Sequence, residues 1–141
     1  MNVRLEAGGV FYLLASDYSG DESGPYGITI QRVNNPQPVG KLPLGAPVAG
    51  TIDALTEEDA YSLQANAGDR IRVRMSDGGG LDPQIGVYTN QGERLAEEGT
   101  FGNETVVEFQ AATTGTFWII AGDLQGEETG DYTLIAEKVS P

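Results

Sequence analysis

The sequence contains no cysteine and no histidine. Without cysteine the chain cannot form disulfides, bind metals through thiolates or use a thiol nucleophile. Without histidine it lacks the usual general base and the commonest zinc ligand, which excludes a Ser-His-Asp triad. The two absences leave carboxylates as the main candidates for chemistry in this chain.

Basic residues are also scarce, because 8 Lys and Arg face 21 Asp and Glu, which gives a formal net charge of −13. Nucleic acids and anionic membranes are bound through positively charged surfaces, so we expect neither as a partner. The local basic cluster of Arg70, Arg72 and Arg74 alternates with Ile71 and Val73. This alternation predicts the solvent face of one strand.

Long apolar runs are missing as well. No segment approaches the roughly 18 consecutive apolar residues of a transmembrane helix, so we expect no membrane insertion. Met1 to Glu6 do not lead into the apolar stretch of a signal peptide. We expect a secreted or cell-surface protein whose export signal lies outside this chain.

The glycines and prolines that are present indicate a β-protein. Twenty glycines and seven prolines stand between short apolar runs, a pattern typical of many strands joined by tight turns. We predict an all-β fold, an antiparallel, jelly-roll-like β-sandwich of about eight strands plus an extra N-terminal hairpin. The eight strands are predicted at 48–52, 60–64, 70–75, 84–88, 94–97, 105–110, 116–121 and 132–137.

An internal repeat is the most informative feature of the sequence. Residues 9–33, here called the first repeat segment, match residues 115–139, the second repeat segment, at a constant offset of 106. Nine positions are identical, and both segments contain an apolar strand, an acidic glycine-containing loop and an alternating strand. The identical residues of the first segment are Gly9, Phe11, Ala15, Asp17, Gly20, Glu22, Gly24, Tyr26 and Val33.

The repeat and the prolines together suggest a domain organisation. We interpret residues 1–33 as the C-terminal hairpin of a preceding repeat and 48–141 as one complete sandwich. Residues 34–47 hold four of the seven prolines and predict an extended linker, because proline fixes φ and donates no backbone hydrogen bond. A hairpin alone is unstable, so we expect 1–33 to pack on the sandwich, to fray, or to exchange with another chain in a homodimer.

A series of short motifs runs through the sandwich region in a fixed order: Gly50–Asp53, Asp59–Leu63, Ala67–Ile71, Leu81–Tyr88, Gly92–Ala96, Thr114–Ile119 and Gly130–Leu134. In these motifs the region resembles the bacterial pre-peptidase C-terminal domain, which is related to the collagen-binding domains of clostridial collagenases. This resemblance implies a non-catalytic accessory role in spacing, folding, secretion or adhesion. Family members often open with an acidic Glu-Pro-Asn-Asn type segment that helps to bind calcium in the collagen-binding relatives, whereas this chain has Asn34-Asn35-Pro36.

Calcium is the one cofactor for which the sequence offers candidate ligands, because Ca²⁺ prefers carboxylate and carbonyl oxygens. None of the acids has the spacing of an EF-hand, and solvated surface acids are the alternative interpretation. The candidate ligands are Asp17, Asp21, Glu22, Asp53, Glu57, Glu58, Asp59, Asp123, Glu127 and Glu128.

Three functional classes therefore compete. The leading hypothesis is a structural or adhesive repeat module, acting in spacing, assembly or adhesion, that contacts neighbouring repeats or the catalytic domain of a parent protein. The second is a module that binds an extracellular polymer, either a collagen-like protein or a polysaccharide, with or without calcium. The third is a small carboxylate hydrolase, which the lack of an apolar pocket signature around any acid disfavours. Exposed aromatic patches would favour binding, and a polar surface with an apolar end contact would favour the structural role.

Overall fold

The computed structural model describes residues 3 and 5–139, which contain nine strands and no helix. Within this part of the chain there is accordingly no helix that could span a membrane. The strands are β1 (Gly40–Lys41), β2 (Val48–Ile52), β3 (Glu58–Ala65), β4 (Arg70–Asp77), β5 (Pro83–Thr89), β6 (Arg94–Gly99), β7 (Glu104–Gln110), β8 (Gly115–Asp123) and β9 (Gly130–Lys138).

The strands form two stacked sheets. The first sheet has the order β1-β3-β8-β5-β6 and the second has the order β2-β9-β4-β7. The pairings between neighbouring strands are antiparallel except that of β1 with β3, which is parallel. The predicted antiparallel β-sandwich is confirmed, and β2 to β9 correspond to the eight predicted strands.

Alternating side chains build the core between the sheets. In β4, Ile71, Val73 and Met75 are fully buried, while the arginines between them point to the outer face of the second sheet. Arg72 pairs with Glu108 at 2.7 Å and Arg70 reaches the same carboxylate at 3.3 Å. This outer face therefore has the charged, solvated surface that the alternation predicts.

Strand β8 departs from this alternation because both of its faces are buried. Phe117 and Ile119 face the core between the sheets, and Trp118 and Ile120 belong to a separate apolar cluster. Neighbouring side chains of a strand point to opposite faces, so this second cluster lies on the outside of the first sheet. The first sheet thus has an apolar outer face, whereas the second has a charged one.

The two strands of the second repeat segment do not form a hairpin with each other. Strand β8 pairs with β3 and β5 in the first sheet, and β9 pairs with β2 and β4 in the second. The loop between them crosses from one sheet to the other. Our interpretation of the repeated unit as a hairpin is therefore corrected: it supplies one central strand to each sheet.

No strand is assigned among the described residues before Gly40, so the predicted N-terminal hairpin is not formed in this chain. The two predicted strands of this hairpin are equivalent to β8 and β9, which are central strands and pair with a neighbour on both sides. Residues 1, 2 and 4 of the predicted 1–33 unit, and residues 140 and 141 of the predicted 48–141 domain, lie outside the described residues.

Part of the segment predicted as a linker belongs to the sandwich. Strand β1 lies within it and pairs with Tyr61 and Ser62 of β3. Leu42 is only 1% exposed, and Leu44 forms an isolated bridge with Ala136. The proline-rich sequence concealed this contribution, because a two-residue strand leaves no alternating pattern to detect.

Candidate interaction site

The first repeat segment is exposed at the positions where the second is core. Phe11 is 54% exposed and Tyr26 is 75% exposed, whereas their equivalents Phe117 and Tyr132 are each 3% exposed. The same contrast holds for the aliphatic residues of both strands. Exposed apolar residues of the first segment are Val10, Phe11, Tyr12, Leu13, Leu14, Tyr18, Tyr26, Ile28 and Ile30. Contiguous apolar surface of this kind marks an interaction site more often than a solvated one.

The loops of the two repeat segments share an aspartate hydrogen bond and a glycine of positive φ. Asp17 Oδ2 accepts a hydrogen bond from the backbone N–H of Asp21 at 3.1 Å, and Asp123 Oδ2 accepts the equivalent bond from Glu127 at 2.9 Å. The glycine three residues after each aspartate has a positive φ, 78° in the first loop and 69° in the second. The first segment therefore keeps two features of the turn that connects β8 with β9, although no strand is assigned in it.

A buried polar network anchors the second repeat segment between the sheets. The hydroxyl of Tyr132 donates to Asp59 Oδ2 at 2.5 Å and lies 2.8 Å from the hydroxyl of Tyr61. Gly50 leaves the space for these groups, since a Cβ there would lie 2.3 Å from Tyr132 Cζ. The network joins β2, β3 and β9, and it depends on a tyrosine at the position that Tyr26 holds in the first segment.

The outer face of the first sheet carries the cluster of Ala60, Tyr88, Trp118 and Ile120, which we call the outer cluster. Val33, the last residue of the first repeat segment, packs against it. Trp118 Nε1 donates a hydrogen bond to Asn90 Oδ1 at 3.2 Å. The outer cluster is thus an apolar contact surface on which the end of the first segment lies.

Further contacts hold the chain on this face. The backbone N–H of Val39 donates to the carbonyl of Ala60 at 2.8 Å. Thr29 and Thr56 form a hydrogen bond between their hydroxyls, and the N–H of Thr56 donates to the carbonyl of Gly126 at 2.9 Å. The end of the first segment therefore touches the loop of the second through Thr56.

Several candidate calcium ligands are engaged with their own loops. Asp17 Oδ2 also accepts from the backbone N–H of Gly20 at 2.5 Å, and hydrogen bonds, that from the Ser19 hydroxyl first, hold the pKa of Asp17 below its usual value. Glu57 Oε2 accepts from the N–H groups of Asp53 and Ala54 at 2.6 and 2.9 Å. These carboxylates organise turns.

The acids of the second repeat loop and of β3 differ from one another in burial and in hydrogen bonding. Asp123 is 8% exposed, and its Oδ1 accepts from the N–H of Asp82 at 2.8 Å. Glu127 and Glu128 are exposed. Desolvation, followed by the negative charges of Asp82, Asp123 and Asp77, raises the pKa of Glu128. The exposed Asp21, Glu22 and Glu58 complete the set of candidates.

These ten acids do not converge on one centre. Among the described residues, no group of three or more acidic side chains is arranged to hold a metal ion. Several of these carboxylate oxygens accept backbone hydrogen bonds that shape their own turns. The calcium site accordingly stays a prediction, and no step of function is assigned to it.

Asp77 organises the turn that follows β4, where the sequence of an aspartate and three glycines predicts one. Its Oδ2 accepts from the N–H groups of Gly79, Gly80 and Leu81 at 2.7, 2.6 and 2.9 Å. Burial raises the pKa of Asp77, but these hydrogen bonds outweigh it and the net shift is downward. An aspartate directly before three glycines is the sequence signal for such a turn.

Known structures with this architecture can now be compared. No protein-family model and no curated protein matches the sequence. The pre-peptidase C-terminal domain of collagenase from Bacillus anthracis superposes with a TM-score of 0.59 at 15% identity, over 73% of this chain and 99% of that chain. The chain has the fold of a pre-peptidase C-terminal domain. At this identity the likeness concerns the fold alone.

Two further solved structures superpose less well. PliG from Aeromonas hydrophila, a periplasmic lysozyme inhibitor of g-type lysozyme, has a TM-score of 0.48 at 14% identity, over 70% of this chain and 99% of that chain. PliG from Salmonella Typhimurium has a TM-score of 0.48 at 13% identity, over 67% and 86%.

Proposed function

We propose that this chain is a non-catalytic accessory module of a secreted or surface-exposed bacterial protein, acting in spacing and assembly of repeats. The observation that carries the proposal is the contrast between the repeat segments. The residues that form the core of the sandwich at 115–139 are exposed at 9–33, which is a surface suited to burial by a neighbouring domain.

The unequal outer faces of the two sheets support the same role. The second sheet is covered by charged pairs such as Arg72–Glu108, and Arg74 lies 3.9 Å from both Glu104 and Glu137. The first sheet presents the outer cluster, which the chain before the sandwich partly covers. One face is adapted to solvent and the other to a neighbour, as expected for a module in a row.

Burial of the first repeat segment would supply a substantial driving force for assembly. Full burial of one large apolar side chain contributes roughly 1.5–3 kcal/mol. Phe11, Leu13, Tyr26, Ile28 and Ile30 are all about half exposed or more. Their combined burial would exceed the ordering cost of a short loop whose conformation already exists.

The charge and the fold support an extracellular setting. A net charge of −13 favours solubility and keeps copies of the chain apart in solution. The solved relative is a domain of a collagenase, and by this analogy the module would accompany a catalytic domain rather than act as one.

Binding of an extracellular polymer is the alternative function, and exposed aromatic side chains favour it. Tyr12, Tyr18 and Tyr26 are more than 70% exposed, as is Phe101 at the other end of the sequence. Aromatic rings of this exposure can stack on sugar rings or on the rings of a collagen-like chain. The repeat argues for packing instead, since the equivalent rings Trp118 and Tyr132 are core residues.

Co-sedimentation with insoluble collagen, cellulose and peptidoglycan distinguishes the two functions. We expect the chain to stay in the supernatant and to release no soluble product from any of these polymers. Retention that is lost in the triple variant Tyr12→Ser, Tyr18→Ser and Tyr26→Ser, but kept in the control variant Phe101→Ser, would replace the structural role by polymer binding. Release of product would overturn the non-catalytic assignment.

A further inference from the structure

We propose that the first repeat segment is the final strand pair of a preceding sandwich in the same polypeptide. Its partner is a seven-stranded open sandwich of this fold, with strands equivalent to β1–β7 and two empty central positions. This inference rests on the proposed assembly function and names the partner. It follows from the place of the second repeat segment, which completes the sandwich described above.

The positions to be filled are internal in both sheets. Strand β8 lies between β3 and β5 and pairs with both along most of its length, and β9 lies between β2 and β4. A sandwich without these strands would expose backbone donors and acceptors on four inner edges, which templates the addition of strands. The partner therefore has a defined need for two strands joined by a loop that crosses between sheets.

The first repeat segment meets this need residue by residue. Phe11 and Leu13 correspond to the core residues Phe117 and Ile119, and Tyr26 corresponds to Tyr132. The tyrosine is the most specific of these matches. Tyr132 packs against Gly50, where any side chain would collide with its ring, so Tyr26 needs a glycine at the same place in the partner. Two features of the crossing loop are already present in the first repeat segment, namely the shared aspartate hydrogen bond and the positive φ of its glycine.

Counting strands and positions argues against exchange between two copies of this chain. Each chain offers one pair of central positions, in its own sandwich, and carries two segments able to fill it. Two exchanged chains would therefore still leave two segments exposed, one for each sandwich. Only a partner that lacks its own final strands gains buried surface when the first repeat segment binds. A preceding repeat in the same polypeptide is such a partner, and the constant offset of 106 residues gives the length of one repeat.

The geometry after the segment fits neighbouring domains in a row. Val33 ends the first repeat segment against the outer cluster, and Val39 is hydrogen bonded to Ala60 just before β1 begins. The last strand of the preceding sandwich would thus pass directly onto the first sheet of this one. The outer cluster becomes the contact between consecutive repeats.

A fusion that restores the preceding sandwich tests the inference. Residues 34–114 are placed ahead of residue 9 of the chain, so that the first repeat segment follows β7 as the second does. Backbone hydrogen exchange is read at 11–15 and 26–31, in the fusion and in the original chain. We expect slowing on the order of 100-fold or more at these amides, as for central strands. Continued fast exchange would overturn the proposal.

Two controls make the result specific. In the first control, the added residues 34–114 are followed by a second copy of 115–139 in place of the first repeat segment. It gives the protection from hydrogen exchange that a fully matching segment reaches. In the test fusion, Tyr26→Ala should remove most of the gain, whereas Tyr18→Ala should keep it, because the equivalent Leu124 is only partly buried. Fast exchange in the fusion would contradict the proposed partner without affecting the co-sedimentation result. The two experiments therefore test the partner and the accessory function separately.

Discussion

The hydroxyl of Tyr132 donates a hydrogen bond of 2.5 Å to the carboxylate of Asp59, linking the second sheet to the first. Asp59 is 7% exposed. Burial raises the pKa of Asp59 above its usual value, and the hydrogen bond from Tyr132 offsets this only in part. An acid that the sequence marked as a candidate metal ligand is therefore a structural acceptor in the core.

This raised pKa predicts how stability depends on pH. A carboxyl whose pKa is raised on folding stabilises most when protonated, below the unfolded value of 3.8, and this contribution is lost as pH rises through the folded pKa. Asp59→Asn keeps an acceptor for Tyr132 but cannot ionise. The stability of the unsubstituted chain relative to this variant should therefore fall as pH rises from about 3 to about 7. Urea midpoints across this range measure the difference, and parallel profiles would contradict the prediction.

Gly50 is predicted to tolerate no side chain. A Cβ at this position would lie 2.3 Å from Tyr132 Cζ and 2.6 Å from the Tyr61 hydroxyl, inside a network that has no room to move. Gly50→Ala should lower the free energy of unfolding by roughly 1–3 kcal/mol or more. Gly78→Ala is the matched control, since nothing lies within 4 Å of its Cβ, and it should stay within about 0.5 kcal/mol of the original chain. Equal urea midpoints for the two variants would contradict this assignment.

Local patterns predicted most of the sandwich. Strand β4 shows why, because Ile71, Val73 and Met75 alternate with arginines and only one face can be buried. Strand β2 was predicted with its observed bounds, Val48–Ile52. Residues 116–121 of β8 (Gly115–Asp123) were also predicted, although this strand is buried on both faces and so lacks alternation, because the repeat and its aromatic residues marked it.

What the sequence could not show depends on contacts between distant strands. The repeat identified two strands and a loop, but only the pairing with β3, β5, β2 and β4 places them in different sheets. Asp59 and Tyr132 are 73 residues apart, so no local pattern marks them as partners. The acids looked alike in the sequence, and their separate roles follow from which backbone N–H groups the fold brings to each.

Calcium should leave the stability of the chain nearly unchanged. Among the described residues no three acidic side chains are arranged to hold a metal ion, and only a ligand that binds the native state raises the melting temperature. The carboxylates of Asp17, Glu57 and Asp123 organise turns by accepting backbone hydrogen bonds. We expect melts in millimolar calcium and in chelator to agree within about 1 °C. A melting temperature that climbs with calcium concentration would show a native-state site, and Asp123→Asn against Asp17→Asn would then locate it.

Val33 is predicted to hold the chain before the sandwich against the outer cluster. Trp118 is the single tryptophan of the sequence and lies 5% exposed in that cluster, so its fluorescence reports the contact directly. Val33→Asp would place a charge against apolar side chains, and the emission should shift to longer wavelength with stronger quenching by acrylamide. Val39→Asp is the control, because Val39 is 61% exposed. A shift of equal size in both variants would mean that the charge acts at a distance, and an unchanged spectrum in Val33→Asp would mean that Trp118 is covered by the sandwich itself rather than by the segment that precedes it.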